Sequence, residues 1–496
     1  MAARILAFLT DRRTRAVLAW AALLLLIGHR AGQAWINFKQ ELRPCGNDGY
    51  TSIDFGGQWM LGRLLVTGHG QELYSRERHL EIARVAYPRD QEPPNKATHD
   101  AEQLVEWYAG PADDPIGGPL YPPIHAFVMA PLALIANPYV SYRVTEGLML
   151  GLVLLAGLGV RYGTHGRWWW SAATAYLLAF PGCRGGIDLG QNSPLSMALL
   201  MWGWALMVRG RPAWGGLLWG LLAFKPVWAV SFLAALLLLR QWRAALAMTA
   251  TGTGLVLLSL PFVGVHSWFD WLHIGQIAAG MYTTDRNWIF LSRDLFGIPR
   301  RMLLDFNEGR ATRASPLAGA LGWGLWLTVA AITCAMVWRR CRNANLSGPF
   351  AGLVLLAAWL LTYRFMYYDA LLAAVGVVAI LADPRPHFRR TWWPFASWAS
   401  LNASFLLLIE NVTSPLNVEV TASIHGLKGT VTAADQSTHV TAPTIFVASG
   451  DEYPWDTIAV IALWLWCVLT VWRIRRSSVG AAEIDQGGAN VSGTHQ

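Results

Sequence analysis

Apolar residues in this chain fall into uninterrupted blocks of about 15–25, the length that crosses a bilayer core as a helix. The blocks run at about 16–36, 122–137, 140–160, 168–182, 190–208, 213–224, 226–240, 243–263, 316–338, 350–382 (read as two helices broken near Tyr363–Asp369), 392–410 and 456–473. A segment surrounded by lipid must satisfy its backbone polar groups internally, so such blocks become helices packed in a bundle. Only 14% of the 496 residues are charged, against about 25% in ordinary soluble domains. The expected fold is therefore an all-α polytopic membrane protein of about eleven to thirteen spans.

The formal charge of +8 is spent at block edges: Arg12, Arg13 and Arg15 before the first, then Arg209–Arg211, Arg240–Arg243, Arg339–Arg342, Arg385–Arg390 and Arg473–Arg476. Lysine and arginine beside spans stay on the cytoplasmic side. This patterning explains the basic balance and leaves no patch of the kind that binds nucleic acid. It also divides the chain. Residues 1–15 form a cytoplasmic N-terminus, 16–36 a first transmembrane helix, and 37–121 a long extracytoplasmic loop. A bundle over 122–410 contains a second outer loop at 264–315. A third loop, 411–455, alternates like a β-hairpin around Val418–Thr432. It leads to a last transmembrane helix at 456–473 and a cytoplasmic tail, 474–496, whose composition predicts disorder. With every long loop outside, two features must bend the rule: block 122–137, following Pro122-Pro123, dips without crossing, and 213–240, broken at Lys225-Pro226, enters and returns from the cytoplasmic side.

Within the first loop, Trp59–Leu65 and His99–Tyr108 have helical apolar spacing and predict short amphipathic helices at the membrane surface. The five cysteines have no C-x-x-C spacing; Cys45 and Cys183 are the pair that could share the outer side. No Walker loop, H-E-x-x-H, G-x-S-x-G or Cys/His cluster is present. No cofactor is called for; carboxylates leave room for a divalent cation, but no motif indicates one.

Ser52-Ile-Asp54-Phe55, Gly68 and Gly70, Leu73-Tyr74, Tyr121-Pro-Pro123 with Pro131-Leu132, Gly190-Gln191-Asn192 and Lys225-Pro226 follow one another in an order that resembles glycosyltransferase family 87. These are polyprenyl-phosphate-mannose-dependent mannosyltransferases of the GT-C superfamily, and the similarity covers most of residues 16–382. The resemblance implies a multi-pass enzyme of the bacterial cytoplasmic (inner) membrane and cell envelope. Its donor would be a polyprenyl-phosphate sugar, its acceptor an extracytoplasmic lipid, glycan or protein, and its outcome inversion at the sugar. The chain departs from the family near Tyr368-Asp369, where a Ser-Pro followed by aromatics and a histidine is more usual.

The chemistry makes its own demands. Phosphate is already a good leaving group, so no general acid is needed; a carboxylate must take the proton of the attacking hydroxyl. In a GT-C enzyme the base lies early in the first outer loop, which places it at Asp54, with Asp48 as runner-up. The competing role for Asp54 is a helix N-cap. Charge on the departing phosphate calls for positioned cations. Lys225, inside an apolar block, is the foremost, because a buried membrane lysine is costly; its other reading is a snorkelling side chain. Arg184 and Arg364 are further candidates, ahead of Arg286 and Arg293 in the second loop. Gln191 and Asn192 either bond sugar hydroxyls or cap the following helix, and Asp369 either serves the site or pairs with Arg364. A lipid or solute transporter (or flippase) would also need intramembrane charges. However, transporters typically carry an internal repeat, and none is visible.

Overall fold

The computed structural model describes residues 11–39, 54–87, 114–307, 310–311, 315–338, 346–382, 454 and 456–472. Cys45, Asp48, His99–Tyr108, block 392–410, the 418–432 alternation and the tail lie outside the described residues. The architecture is all-α, apart from a two-stranded antiparallel hairpin, β1 (Phe306–Asn307) with β2 (Arg310–Ala311).

Helix α1 (Arg12–Lys39) is followed by α2 (Phe55–Val66) and α3 (Arg76–Ala86). The bundle follows: α4 (Pro123–Ala133), α5 (Pro138–Gly163), α6 (Trp170–Ala179), α7 (Cys183–Asp188), α8 (Ser193–Val208), α9 (Pro212–Gly220), α10 (Pro226–Leu238) and α11 (Trp242–Val263). Next come α12 (His266–Thr284), α13 (Arg286–Leu291), α14 (Gly297–Leu303), α15 (Pro316–Trp338), α16 (Pro349–Leu360), α17 (Ala374–Ala382) and α18 (Asp456–Trp472). Among the described residues four helices are long and apolar enough to cross a membrane: Arg12–Gly32 within α1, then α5, α11 and α15; seven shorter apolar helices complete the bundle. On α11, Leu257 and Leu258 are exposed, as are Leu321 and Leu327 on α15. Lipid, and not a protein core, is the solvent these faces match.

Proline sets many of these boundaries. It opens α4, α5, α9, α10, α15 and α16, where its fixed φ suits a first helical turn and its missing N–H is not needed. Close helix approach uses glycine: a Cβ on Gly216 of α9 would lie 2.1 Å from the Ala244 carbonyl oxygen of α11. Small residues at such crossings let membrane helices pack backbone to backbone.

The contacts fix two ends. His165 after α5 meets Arg209 after α8, and Arg167 donates to the Ala382 carbonyl at the close of α17 (2.9 Å). At the opposite end, α2 packs on α4, and Arg293 pairs with Asp456 at 2.7 Å where α18 begins. Arg209 and Arg240 thus share the basic end, and α2, α4 and the start of α18 gather at the other. Helix α4 stays at the end opposite the basic one: Ser141, opening α5, donates to the Leu132 carbonyl at 2.8 Å. Helices α9 and α10 form one pair that rises from the basic end and returns to it, turning at Lys225. Helix α16 and the segment Tyr367–Ala382 form a second such pair, closed at the basic end by the Gly348 N–H bond to the Ala379 carbonyl (2.7 Å).

Two expectations need correction. Helix α2 is not a surface helix: nine of its twelve residues are buried, because α4 covers one side while Val263 and Ile274 pack on Leu61 and Leu64. The 264–315 stretch is not chiefly loop but contains α12, α13 and α14, since its Trp, Ile, Leu and Phe residues find an aromatic interior in Tyr282, Trp288 and Phe296.

Candidate active site at the end of the bundle opposite the basic flanks

Asp54 stands immediately before α2, with its backbone already helical (φ −75°, ψ −55°) and no side-chain capping bond. A capping side chain needs extended backbone at that position, so the N-cap reading is not realised. The carboxylate is instead held from the bundle: Gln191 Nε2 donates to Asp54 Oδ1 at 2.7 Å. Gln191 is itself oriented by the Tyr121 hydroxyl, which donates to its Oε1 at 2.8 Å. Asp54 is half-buried, and burial pushes its carboxyl up to about 6, against the opposing pull of the Gln191 hydrogen bond. A carboxylate tuned toward neutrality accepts a proton more readily than an ordinary one.

Local backbone makes this reach possible. Gly190 sits at φ +61°, a region that costs glycine little, and a Cβ there would come within 3.0 Å of the Phe55 Cβ. Gln58, one turn after Asp54, ties the loop to the bundle by donating to the Asp54 carbonyl (3.1 Å) and the Gly190 carbonyl (3.2 Å). Its Oε1 accepts from His125 Nε2 at 3.0 Å and from Asn192 Nδ2 at 3.4 Å. His125 stacks on Tyr121 at 4.3 Å between centroids. Tyr121 is fixed from outside as well: the Tyr74 hydroxyl donates to its carbonyl, Trp271 Nε1 to the Leu120 carbonyl at 3.4 Å, and His273 Nε2 meets Asp114 Oδ2 at 2.9 Å. Asn192 occupies the N-cap of α8 without a capping bond, and its buried Oδ1 has no partner among the described residues. The capping alternative is therefore not realised for Asn192 either.

Lys225 lies at the turn between α9 and α10, with φ −131° and ψ 75°, where Pro226 ends the helical ladder. Its Nζ contacts Asp369 Oδ1 at 2.6 Å and stands 5.3 Å from the centre of the Tyr368 ring. Asp369 also accepts from Ser193 Oγ (2.6 Å) and Trp228 Nε1 (3.2 Å). The tips of both returning helix pairs thus meet in one satisfied ion pair. The expected Asp369–Arg364 partnership does not form. Arg364 lies in the bend between α16 and the Tyr367–Ala373 turn of 3-10 helix, with φ +59°, and stacks its guanidinium on Tyr363 (4.4 Å) and over Tyr282 (5.8 Å). Its Nε is buried with no hydrogen-bond partner among the described residues. Tyr368 lies within electrostatic reach of Asp54, Tyr121, Tyr282 and Asp369. The base candidate, the Lys225–Asp369 pair and Tyr282, the ring beneath Arg364, consequently all lie near Tyr368.

Arg184 does not join them: it pairs with Asp188 at 3.0 Å, within electrostatic reach of His29 and Arg30 on α1. Arg293 is buried against Asp456, and Arg286 lies over the Phe290 ring. Cys183 is a buried free thiol. Among the described residues no cluster of His, Cys, Asp and Glu could hold a metal ion.

Gln58, His125, Ser193 and Trp228 were not picked out as site residues from sequence. Gln58 had a signal: it is the one polar side chain in Phe55–Leu61, a single turn from Asp54. Ser193 and Trp228 had none, because their partner Asp369 is more than a hundred residues away.

A match to glycosyltransferase family 87 covers residues 120–363, about half of the chain. Over this stretch the chain belongs to glycosyltransferase family 87. The matched segment runs from Tyr121 through Gln191, Asn192, Lys225 and Tyr282, and ends one residue before Arg364; Asp54 precedes it and Asp369 follows it. No curated protein and no solved structure matches the chain. The protein is a membrane glycosyltransferase of GT-C-like, all-α architecture. Asp54, which precedes the matched segment, is thus held by Gln191 from within it.

Proposed function

We propose that the protein transfers a hexose, mannose by analogy with the family, from a polyprenyl-phosphate donor to a hydroxyl-bearing acceptor at the extracytoplasmic face, with inversion. The supporting observation is the Gln191–Asp54 contact: a carboxylate raised to about 6 and aimed by a bundle side chain. The acceptor O–H loses its proton to Asp54 as its oxygen bonds to the anomeric carbon. The bond from that carbon to the phosphate oxygen breaks, and its electron pair leaves with polyprenyl phosphate. Attack opposite the leaving group inverts the configuration.

Arg364, stacked on aromatics with no ion pair among the described residues, supplies a cation for the phosphate. Lys225 spends one of its three N–H donors on Asp369, leaving two for a phosphate oxygen. Asn192 Oδ1 accepts a sugar hydroxyl, and the Tyr121 and Tyr368 rings give the sugar apolar walls. Purified protein incubated with polyprenyl-phosphate mannose, or with the glucose and galactose analogues, should release polyprenyl phosphate from one of them when the acceptor is supplied. Release that is identical in Asp54→Asn would defeat the assignment of the base.

A further inference from the structure

Gln58 and His125 are wholly buried polar side chains with no direct part in the transfer. An amide group offers two donors and two acceptor positions, and Gln58 uses all four. Its Nε2 serves the Asp54 and Gly190 carbonyls, while its Oε1 receives His125 Nε2 at 3.0 Å and Asn192 Nδ2 at 3.4 Å. Because Nε2 must face the two carbonyls, the acceptor end of the amide faces His125, and the ring nitrogen there carries the proton. His125 Nδ1 is buried without a partner among the described residues. A second proton on it would place an unpaired charged donor in the interior, which is unfavourable. His125 is therefore the neutral Nε2–H tautomer.

The contacts close into a circuit on one residue. From the Asp54 carboxylate they run to Gln191 (2.7 Å) and on to the Tyr121 hydroxyl (2.8 Å). They cross the Tyr121–His125 stack, whose planes lie 19° apart, to Gln58 and return to the Asp54 carbonyl. Side chain and backbone of Asp54 are thus held by separate arms. The arms differ in redundancy. Tyr121 is held by Gln191 and, through its carbonyl, by Tyr74, so it can lose the stack and stay in place. Gln58 Oε1 has only the longer Asn192 contact in reserve, so losing the His125 donor frees the amide to swing off the Asp54 and Gly190 carbonyls. Gly190 immediately precedes Gln191, and both members of the Gln191–Asp54 contact would then drift together.

We propose that His125 is a positioning residue: by donating from Nε2 to Gln58 it holds Asp54 and Gln191 in register for proton transfer. The role rests on Asp54 being the base. The test uses the full chain in detergent with isotope-labelled aspartate carboxyls read by NMR, the Asp54 signal being assigned by its loss in Asp54→Asn. In the wild type that signal should titrate at about 6. The Gln191 hydrogen bond favours the ionised form, so His125→Phe, which keeps a ring for the stack and removes the donor, should move the midpoint upward. Tyr368, within electrostatic reach of Asp54, stays neutral over this range and leaves the comparison clean. His125→Gln restores an N–H at a similar distance from the backbone and should return the midpoint toward the wild-type value. Turnover, read as release of polyprenyl phosphate, should fall roughly ten- to a hundred-fold in His125→Phe. The loss should lie in kcat, with the donor KM little changed, and His125→Gln should recover part of it. Gln58→Met takes the partner away from the other side, should shift the midpoint the same way, and serves if His125→Phe folds poorly. An unmoved Asp54 midpoint in His125→Phe and Gln58→Met overturns the proposal. Wild-type turnover in His125→Phe with a loss in His125→Gln does so too, since the stack and not the hydrogen bond would then carry the role. Near-normal turnover in Asp54→Asn instead defeats the base assignment, and the titration still decides the positioning.

Discussion

Replacing Asp54 by asparagine isolates proton affinity from shape. Asparagine keeps an oxygen that can accept the Gln191 Nε2 hydrogen, so the 2.7 Å contact and the orientation it gives survive. The chemical loss is the whole general-base contribution, typically about 10²–10⁴-fold, or about 3–5 kcal/mol of transition-state stabilisation at 1.36 kcal/mol per tenfold. Stability should move the other way. Burial raises the Asp54 midpoint to about 6 in the folded protein, so the contribution of this group is complete at acid pH and is lost as pH rises through about 6. The ionised carboxylate therefore costs the fold on the order of 1–3 kcal/mol at neutral pH, and Asp54→Asn should melt no lower than the wild type. Because the side chain caps nothing, no loss from the start of α2 offsets this. In the wild type kcat/KM should climb with pH through about 6 and level off above, falling about tenfold from pH 7 to pH 5. Stopped-time release of polyprenyl phosphate across pH 5–8, with Tm measured on the same preparations, makes the comparison. Near-normal turnover in Asp54→Asn, or a rate flat between pH 5 and 7, refutes the reasoning, and Asp48→Asn is the variant to examine next.

Lys225→Ala leaves Asp369 as a lone buried carboxylate. It should lower stability by about 3–5 kcal/mol along with turnover, Lys225→Arg should recover part of both, and Arg364→Gln should depress turnover with little change in Tm. Tyr121→Phe frees Gln191 Oε1 and should reduce kcat roughly tenfold without altering Tm by more than a few degrees, since one neutral hydrogen bond contributes only about 1 kcal/mol; an unchanged kcat would remove Tyr121 from the positioning chain. His79, wholly buried in the outer loop with burial holding it down to about 4, contributes stability that is present above its ordinary value near 6.5 and lost as pH falls through about 4. Up to about 3 kcal/mol should disappear from thermal melts over that window in the wild type and persist in His79→Phe. Cysteines introduced at Thr67 and at Arg209 should react with an impermeant thiol reagent from outside the cell only at Thr67; labelling at Arg209 would invert the topology.

Much of the fold was legible because a membrane imposes its constraints locally. Apolar runs, basic flanks and opening prolines are written within twenty residues of the helices they define. The turn at Lys225-Pro226 and the short helix after Pro122-Pro123 were readable for the same reason: each is a property of adjacent residues. Asp54, Lys225, Gln191 and Asn192 stood out individually, as polar residues before or within apolar segments. Their partnerships did not. That Asp369 would neutralise Lys225 and not meet Arg364 depends on two helix pairs rising to one depth, and nothing within either pair encodes the other's height. The failure of Asp54 to cap α2 likewise needed Gln191, 137 positions away, to compete for its carboxylate. Arg184 was grouped with the cations of the active site because spacing shows that a charge is near a membrane, but not which way α7 turns it. The sequence alone determined which segments must be helical, which end of the bundle is basic and which polar residues need a reason. The tertiary structure decided which of them share a space, because side-chain pairing at long sequence separation is settled by helix depth and rotation, quantities set by packing against neighbours.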